Sequence, residues 1–152
     1  MTAMLRQLGP EEAAQLVPEI ERGYAEDIQR NGGLTEEQAR KKASEDVPRV
    51  VADAANVLYA VTEDGEDVGH LWLGEREVQG RRVLWIWDVF VNEDQRGRGL
   101  GRAAMQLIEE EARRRGLDRV ELNVFGGNDV ARGLYRSLGY DEVAVWMGKD
   151  LR

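Results

Sequence analysis

The stretch DVFVNEDQRGRGLGRAAM, residues 88–105, decides how this chain is read. Its start completes an apolar run, RRVLWIWDVFV (81–91), whose branched and aromatic side chains suit a long strand. Its end opens a helix pattern from about Gly99 to Arg115, with Leu100, Ala104, Leu107 and Ile108 on one stripe and Gly116 as the stop. Between the two lies QRGRGLGR (95–102), three arginines and three glycines in eight positions. Glycines at 97, 99 and 101 free the backbone to aim successive N–H groups at one anion. The helix start adds unpaired donors and the positive end of its dipole. Arg96, Arg98 and Arg102 add full charges, so the junction reads as a phosphate cradle.

Two familiar phosphate loops do not fit. A P-loop needs G-x-x-x-x-G-K-[ST], and no lysine followed by Ser or Thr lies nearby. A dinucleotide fingerprint is nearly matched by Gly99-Leu100-Gly101-Arg102-Ala103-Ala104, with Glu121 about 20 residues on. In that fold the strand runs almost directly into the first glycine, whereas Asn92-Glu93-Asp94-Gln95-Arg96 intervene here. Glu121 also sits near the start of its strand rather than the end, and too little chain remains for a doubly wound sheet.

Outward from the loop, the elements alternate. MLRQL (4–8) is a short opening strand. Pro10 with Glu11 and Glu12 starts a helix that Pro18 is expected to kink or interrupt, and Asn31-Gly32-Gly33 ends it. Thr35-Glu36-Glu37-Gln38 has the form of a capping box for a second helix, ending before or shortly after Pro48. VLYAVTED (57–64) and DVGHLWLGE (67–75) make a hairpin about Asp64-Gly65. After the loop helix come a buried strand RVELNVF (119–125), a short helix capped by Asn128 and closed by Gly139, and a last strand DEVAVWMGKDL (141–151). Glu109, Glu110 and Glu111 each precede an arginine by four residues, which reads as a solvated helix face.

Composition narrows the function. The 152-residue chain suits one domain, 1–152, and its net charge of −8 argues against nucleic acid or an anionic membrane as partner. It carries no cysteine and one histidine, His70, which excludes disulfides, thiolate nucleophiles and multi-histidine zinc sites, so no metal is expected. No signal peptide or 18-residue apolar span is evident, and a cytoplasmic location is the default.

With these elements in place, 88–105 resembles the acetyl-CoA-binding motif of the GNAT N-acetyltransferase superfamily, Q/R-x-x-G-x-G/A, at Arg96, Gly99 and Gly101. NVFGGNDVARGLYRSLGY (123–140) resembles the family's N-x-x-A-x-x-L-Y-x-x-x-G-[FY] segment at Asn128, Ala131, Leu134, Tyr135, Gly139 and Tyr140. The resemblance implies an α/β (α+β) fold with a mixed, mostly antiparallel sheet flanked by helices, two of whose central strands splay apart. It implies acetyl-CoA as co-substrate, with the backbone at Val89, Phe90 and Val91 holding the pantetheine arm. Gly97, Arg98, Gly99, Leu100, Gly101 and Arg102 would hold the pyrophosphate, and Asn128 would touch the cofactor while capping its helix. Tyr135 takes the general-acid position; a core tyrosine is the competing reading of the same apolar face.

The general base is open at this stage. Asp88 is a charge inside an apolar run, on the face opposite Trp87 and Val89 by strand alternation, and His70 is a second proton acceptor. Tyr24 and Asp27 are expected to help line an amine pocket, and Asn123, set between Leu122 and Val124, to orient the amine or to bridge the splayed strands. The reaction expected is acetyl transfer to a primary amine of a small molecule. The alternatives are a protein N-terminal or lysine acetyltransferase and a non-catalytic acyl-CoA-binding regulatory domain. A homodimer is possible.

Overall fold

A five-stranded sheet in chain order, β1-β2-β3-β4-β5, forms the frame of the computed structural model, which describes residues 2–152. β1 (Ala3–Gln7), β2 (Asn56–Glu63), β3 (Glu66–Val78) and β4 (Arg81–Val91) pair antiparallel. β5 (Val120–Leu122) pairs parallel to β4, so the sheet is mixed and mostly antiparallel. The turn residues Asp64 and Gly65, then Gln79 and Gly80, all adopt positive φ, the geometry that tight hairpins demand.

Helices cover both faces. α1 (Pro10–Gly32) and α2 (Glu36–Val51) lie on one, where Ile20, Val47, Leu58 and Trp72 form a buried cluster. α3 (Leu100–Arg114) lies on the other, burying Leu100, Met105 and Ile108 against Tyr59, Leu71, Leu73, Leu84 and Ile86. α4 (Asp129–Ser137) joins this second layer through Leu134, Tyr135 and Leu138, all of them only partly buried. The capping box at Thr35 and Gln38 is formed in both directions, and α2 runs on past Pro48 to Val51.

Four expectations are corrected. α1 continues unbroken through Pro18, because a long amphipathic helix packed along a sheet retains enough other hydrogen bonds and contacts to absorb one missing N–H. β5 spans three half-buried residues instead of seven buried ones, since it pairs with β4 only over Leu84–Ile86. The segment 141–152 forms no strand and is exposed throughout. The charged face of α3 is not uniformly solvated. Glu111 is buried, paired with Arg114 and, at 3.7 Å, with Arg115, whose guanidinium also donates to the Tyr59 hydroxyl at 2.8 Å.

Candidate active site

The site begins with an irregularity in β4. Trp72 pairs with Asp88 but Leu73 pairs with Ile86, so Trp87 is an extra residue, a β-bulge. Before the bulge, Leu84 and Ile86 face α3; beyond it, Val89 and Val91 do. The bulge therefore leaves Trp87 and Asp88 on one face, the α1/α2 side, where Trp87 packs 5.8 Å from Trp72. Simple alternation placed Asp88 opposite Trp87, and the inserted residue is why that fails; Asp88 does lie opposite Val89.

The bulge also sets the backbone. The Asn92 amide donates to Val68 O of β3 at 2.8 Å. Alternation back along the strand then turns Phe90 toward β3, and the N–H and C=O of Val89 and Val91 toward the β5 side. β5 stops opposite Ile86, so those groups face an open gap, apart from Val91 O, which Arg96 occupies. Gly69 is needed for this arrangement, since a Cβ there would lie 2.1 Å from Phe90 O.

After β4, a 3-10 turn (Glu93–Gln95) leads into the glycine loop. Gly97 and Gly99 adopt φ of 78° and 79°, and a Cβ at either would meet no atom within 4 Å, so the requirement for glycine is conformational. Gly99 caps α3, whose first i→i−4 bond is Ala103 N to Gly99 O at 3.0 Å. The amides of Leu100, Gly101 and Arg102 precede that bond and are free to bind an anion. Leu100 contributes backbone alone, because its side chain is buried in the core.

The three arginines do something the sequence did not disclose: each braces the loop. Arg96 donates to Val91 O at 3.0 Å and lies 5.1 Å over the Phe90 ring. Arg98 bonds Gln95 and pairs with Glu63, a carboxylate 11% exposed at the end of β2. Arg102 reaches Ser137 of α4 at 2.7 Å. The cradle is thus a backbone structure held in shape by side chains, and an acyl-CoA pyrophosphate fits its donors.

The acceptor side lies across β4. Asp88 Oδ2 sits 3.0 Å from His70 Nε2, and the His70 ring stacks on Phe90 with centroids 5.0 Å apart. Two residues weighed separately in the sequence form one pair. Burial holds the Tyr135 phenol above its usual value, and the Asp88 carboxylate pushes it the same way. No hydrogen bond holds the Tyr135 hydroxyl among the described residues. Its ring lies 6.0 Å from Tyr140, whose hydroxyl donates to Glu109 at 3.2 Å.

A cleft of about 360 Å³ opens between the end of α1 and the β5–α4 loop, lined by Asp27, Arg30, Asn31, Phe125, Asn128 and Asp129 among others. Asp27 is held above the usual carboxylate range, chiefly by burial, against the pull of Arg30 at 3.8 Å, with Asp88 adding to the rise. Asn128 Oδ1 accepts from Ala131 N at 3.2 Å, the expected cap. Tyr24 is partly buried and packs against the two α1–α2 clusters. Asn123 lies beyond the end of β5, exposed rather than set inside a strand. The Trp87 indole, 3.0 Å from Asn56 Oδ1, and Gly74, where a Cβ would collide with that same oxygen, are further fixtures of the bulge. Two glycines inside one strand were the available signal.

A parallel β4–β5 pair that ends at Ile86 beside a glycine-capped helix matches the fold that the resemblance implies. Residues 19–140 match the acetyltransferase (GNAT) family, and the chain belongs to it. It is 30% identical over 156 residues to YycN of Bacillus subtilis strain 168, an uncharacterized N-acetyltransferase, covering 99% of this chain and 100% of YycN. The YycN crystal structure superposes with a TM-score of 0.90 over 99% of both chains. YdgE of the same strain, also an uncharacterized N-acetyltransferase, is 32% identical over 126 residues, 80% of each chain. A predicted acetyltransferase of Clostridium acetobutylicum, solved with acetyl-CoA, shares the fold at a TM-score of 0.64 and 13% identity over 99% of this chain and 97% of its own. The protein is an acetyl-CoA-dependent N-acetyltransferase of the GNAT family.

Proposed function

We propose that this chain, acting as a single transferase domain, acetylates a primary amine of a small cationic molecule by direct transfer, with Tyr135 as general acid. The observation that carries the reading is the gap beyond Ile86, where β5 ends and which the Val89 backbone and the Val91 N–H face. When bound, acetyl-CoA supplies the thioester carbonyl and the thiolate leaving group. The Gly97–Arg102 backbone holds its pyrophosphate, and Val89 and Val91 receive the pantetheine arm as a sheet edge receives a strand. The Val89 N–H also polarises the carbonyl oxygen.

Asp88, hydrogen-bonded to His70, takes the proton that the amine must lose. The Tyr135 O–H gives its proton to the departing sulfur, so a C–N bond replaces the C–S bond with protons balanced. Asp27 and Asp129 at the α1–α4 cleft favour a cationic acceptor, and a cleft of about 360 Å³ suits a small molecule better than a folded protein surface. Two measurements test this. Acetyl-CoA should raise Tm where NADH does not. Thiol release should then be faster with small polyamines or amino-acid amines than with peptide N-termini or lysine peptides. The reverse order would replace the small-molecule acceptor with a protein one, and binding without turnover would favour a regulatory acyl-CoA-binding role.

A further inference from the structure

Arg76 is held in place without being paired. Its guanidinium lies 4.6 Å over the Trp85 ring and 5.4 Å over the Trp87 ring, and it makes no ion pair or hydrogen bond among the described residues. Strand alternation turns its neighbours Glu75 and Glu77 to the other face of β3, where Glu75 pairs with Arg82 at 3.2 Å and Arg115 at 3.8 Å. The chain carries 29 acidic side chains against 21 lysines and arginines, and a fixed arginine that meets none of them is free for a ligand. Stacking occupies the face of a guanidinium and leaves the N–H groups at its rim to donate.

The surface beneath it is fixed too. Trp87 is anchored through its indole N–H to Asn56 Oδ1 at 3.0 Å and meets Trp85 edge to face, with centroids 6.0 Å apart. Trp85 is 8% exposed. Its N–H has no partner in the protein, yet unlike that of Trp72 it is not sealed from solvent. A buried indole N–H normally finds an acceptor. The Trp85 N–H and the rim of Arg76 are thus two neighbouring donors, one of them charged, that no protein group satisfies.

This pair shares a face with Asp88. Leu84 and Ile86 point toward α3, which turns Trp85 to the α1/α2 side, where the bulge also puts Asp88. Gly74 pairs with Trp85 and Trp72 with Asp88, so two residues of β3 separate them, roughly 7 Å along the sheet. One small molecule spans that distance. We propose that Arg76 and the Trp85 N–H bind a carboxylate of the acceptor. On the transfer to a small amine proposed above, on which this subsite rests, the acceptor is an amine that also carries a carboxylate, as amino acids do. A diamino acid fits both ends, because its second amine keeps the molecule cationic while its carboxylate takes up the unused donors. A planar guanidinium binds a carboxylate more directionally than an ammonium does, so the subsite selects among amines.

Lysine and lysinamide differ in one group, a carboxylate against an amide. Thiol release by the full chain should favour lysine about tenfold or more in kcat/KM. Arg76 is exposed, so its variants should fold. Arg76→Gln should erase the preference, and Arg76→Lys should return part of it. Proton–nitrogen correlation spectra read the subsite without turnover. The indole signal that Trp85→Phe removes should shift when lysine is added, and should stay in place with lysinamide, or with lysine in Arg76→Gln. Equal use of the two amines by the wild type, a preference that survives Arg76→Gln, or an indole signal indifferent to lysine would overturn the subsite. An indole shift without turnover of any small amine would uphold the subsite and refute the small amine as acceptor.

Discussion

Replacing Tyr135 by Phe separates chemistry from packing more cleanly than any other change at this site. The ring stays, so the contacts with the α3-side core stay and no cavity opens. The hydroxyl holds no hydrogen bond among the described residues, and a half-buried hydroxyl without a partner contributes little or costs a little. Stability should therefore hold or rise slightly, within about 1 kcal/mol. The rate should not hold. Removing a positioned general acid loses about 10²–10⁴-fold, which at 1.36 kcal/mol per decade is about 2.7–5.4 kcal/mol of barrier. The pyrophosphate cradle lies on another element, so the affinity for CoA should be unchanged. The pH profile adds a signature. Burial first, then the Asp88 charge, holds the phenol protonated beyond its ordinary value of 10.0. The acid form is the active one, so wild-type activity should persist to pH 10 and decline only above it, and that alkaline limb should vanish in the variant. Thiol-release kinetics, calorimetric titration with CoA and thermal melts together decide the matter. A kcat within threefold of wild type, or a loss that tracks weaker CoA binding, would remove Tyr135 from the chemistry.

Three other perturbations follow from particular contacts. Arg98→Ala should lower stability by about 1–3 kcal/mol in denaturant titration, because it strands the nearly buried Glu63 carboxylate, and Glu63→Gln in the same chain should restore much of the loss. Asp27→Asn should raise KM for a cationic amine while slightly raising Tm at neutral pH. The folded-state pKa of Asp27 is raised, so the stability tied to its protonated form is complete below 3.8 and lost as pH climbs through the raised value. Tyr140→Phe should flatten alkaline unfolding. The Tyr140 phenol is pushed well above 10.0 by burial and by Glu109, so its contribution is present below pH 10 and lost above it, a difference that melts taken on both sides of pH 10 would read.

Elements that depend on local chemistry were legible in the sequence. The capping box at Thr35, the turn at Asp64-Gly65, the Asn128 cap and the glycine-led start of α3 each rest on a few adjacent residues, and each is in place. What escaped depends on partners distant along the chain. The bulge at Trp87 is a mismatch between β3 and β4, and no periodicity within β4 could expose it. It moves Asp88 to the His70 face and so creates the pair that neither residue announced alone. The arginines were similarly opaque. Their density pointed to an anion, whereas Glu63, Val91 O and Ser137, which occupy them, lie 35, 5 and 35 residues away. The strand expected at 141–151 failed for a related reason, because strand propensity states a demand for a neighbour without supplying one.

The braced loop explains why an acidic protein concentrates positive charge at one helix start. If the guanidinium groups themselves held the phosphates, the loop would gain affinity but keep its freedom, and glycines at 97, 99 and 101 would leave the amides poorly aimed. Tying Arg96 to the end of β4, Arg98 to β2 and Arg102 to α4 fixes the loop to three separate elements. One of those ties, Arg96 to Val91 O, joins the proposed phosphate cradle to the strand that borders the gap beyond β5. Another, Arg102 to Ser137, joins it to the helix that carries Tyr135. The cradle and Tyr135 are thereby held at a fixed separation, as the proposed direct transfer would require, since the sulfur that would receive the Tyr135 proton would be tethered to the pyrophosphate by the length of the pantetheine arm. On this view Arg102→Ala should reduce kcat more than it weakens CoA binding, and a loss of affinity with kcat intact would show that Arg102 serves as a phosphate ligand after all.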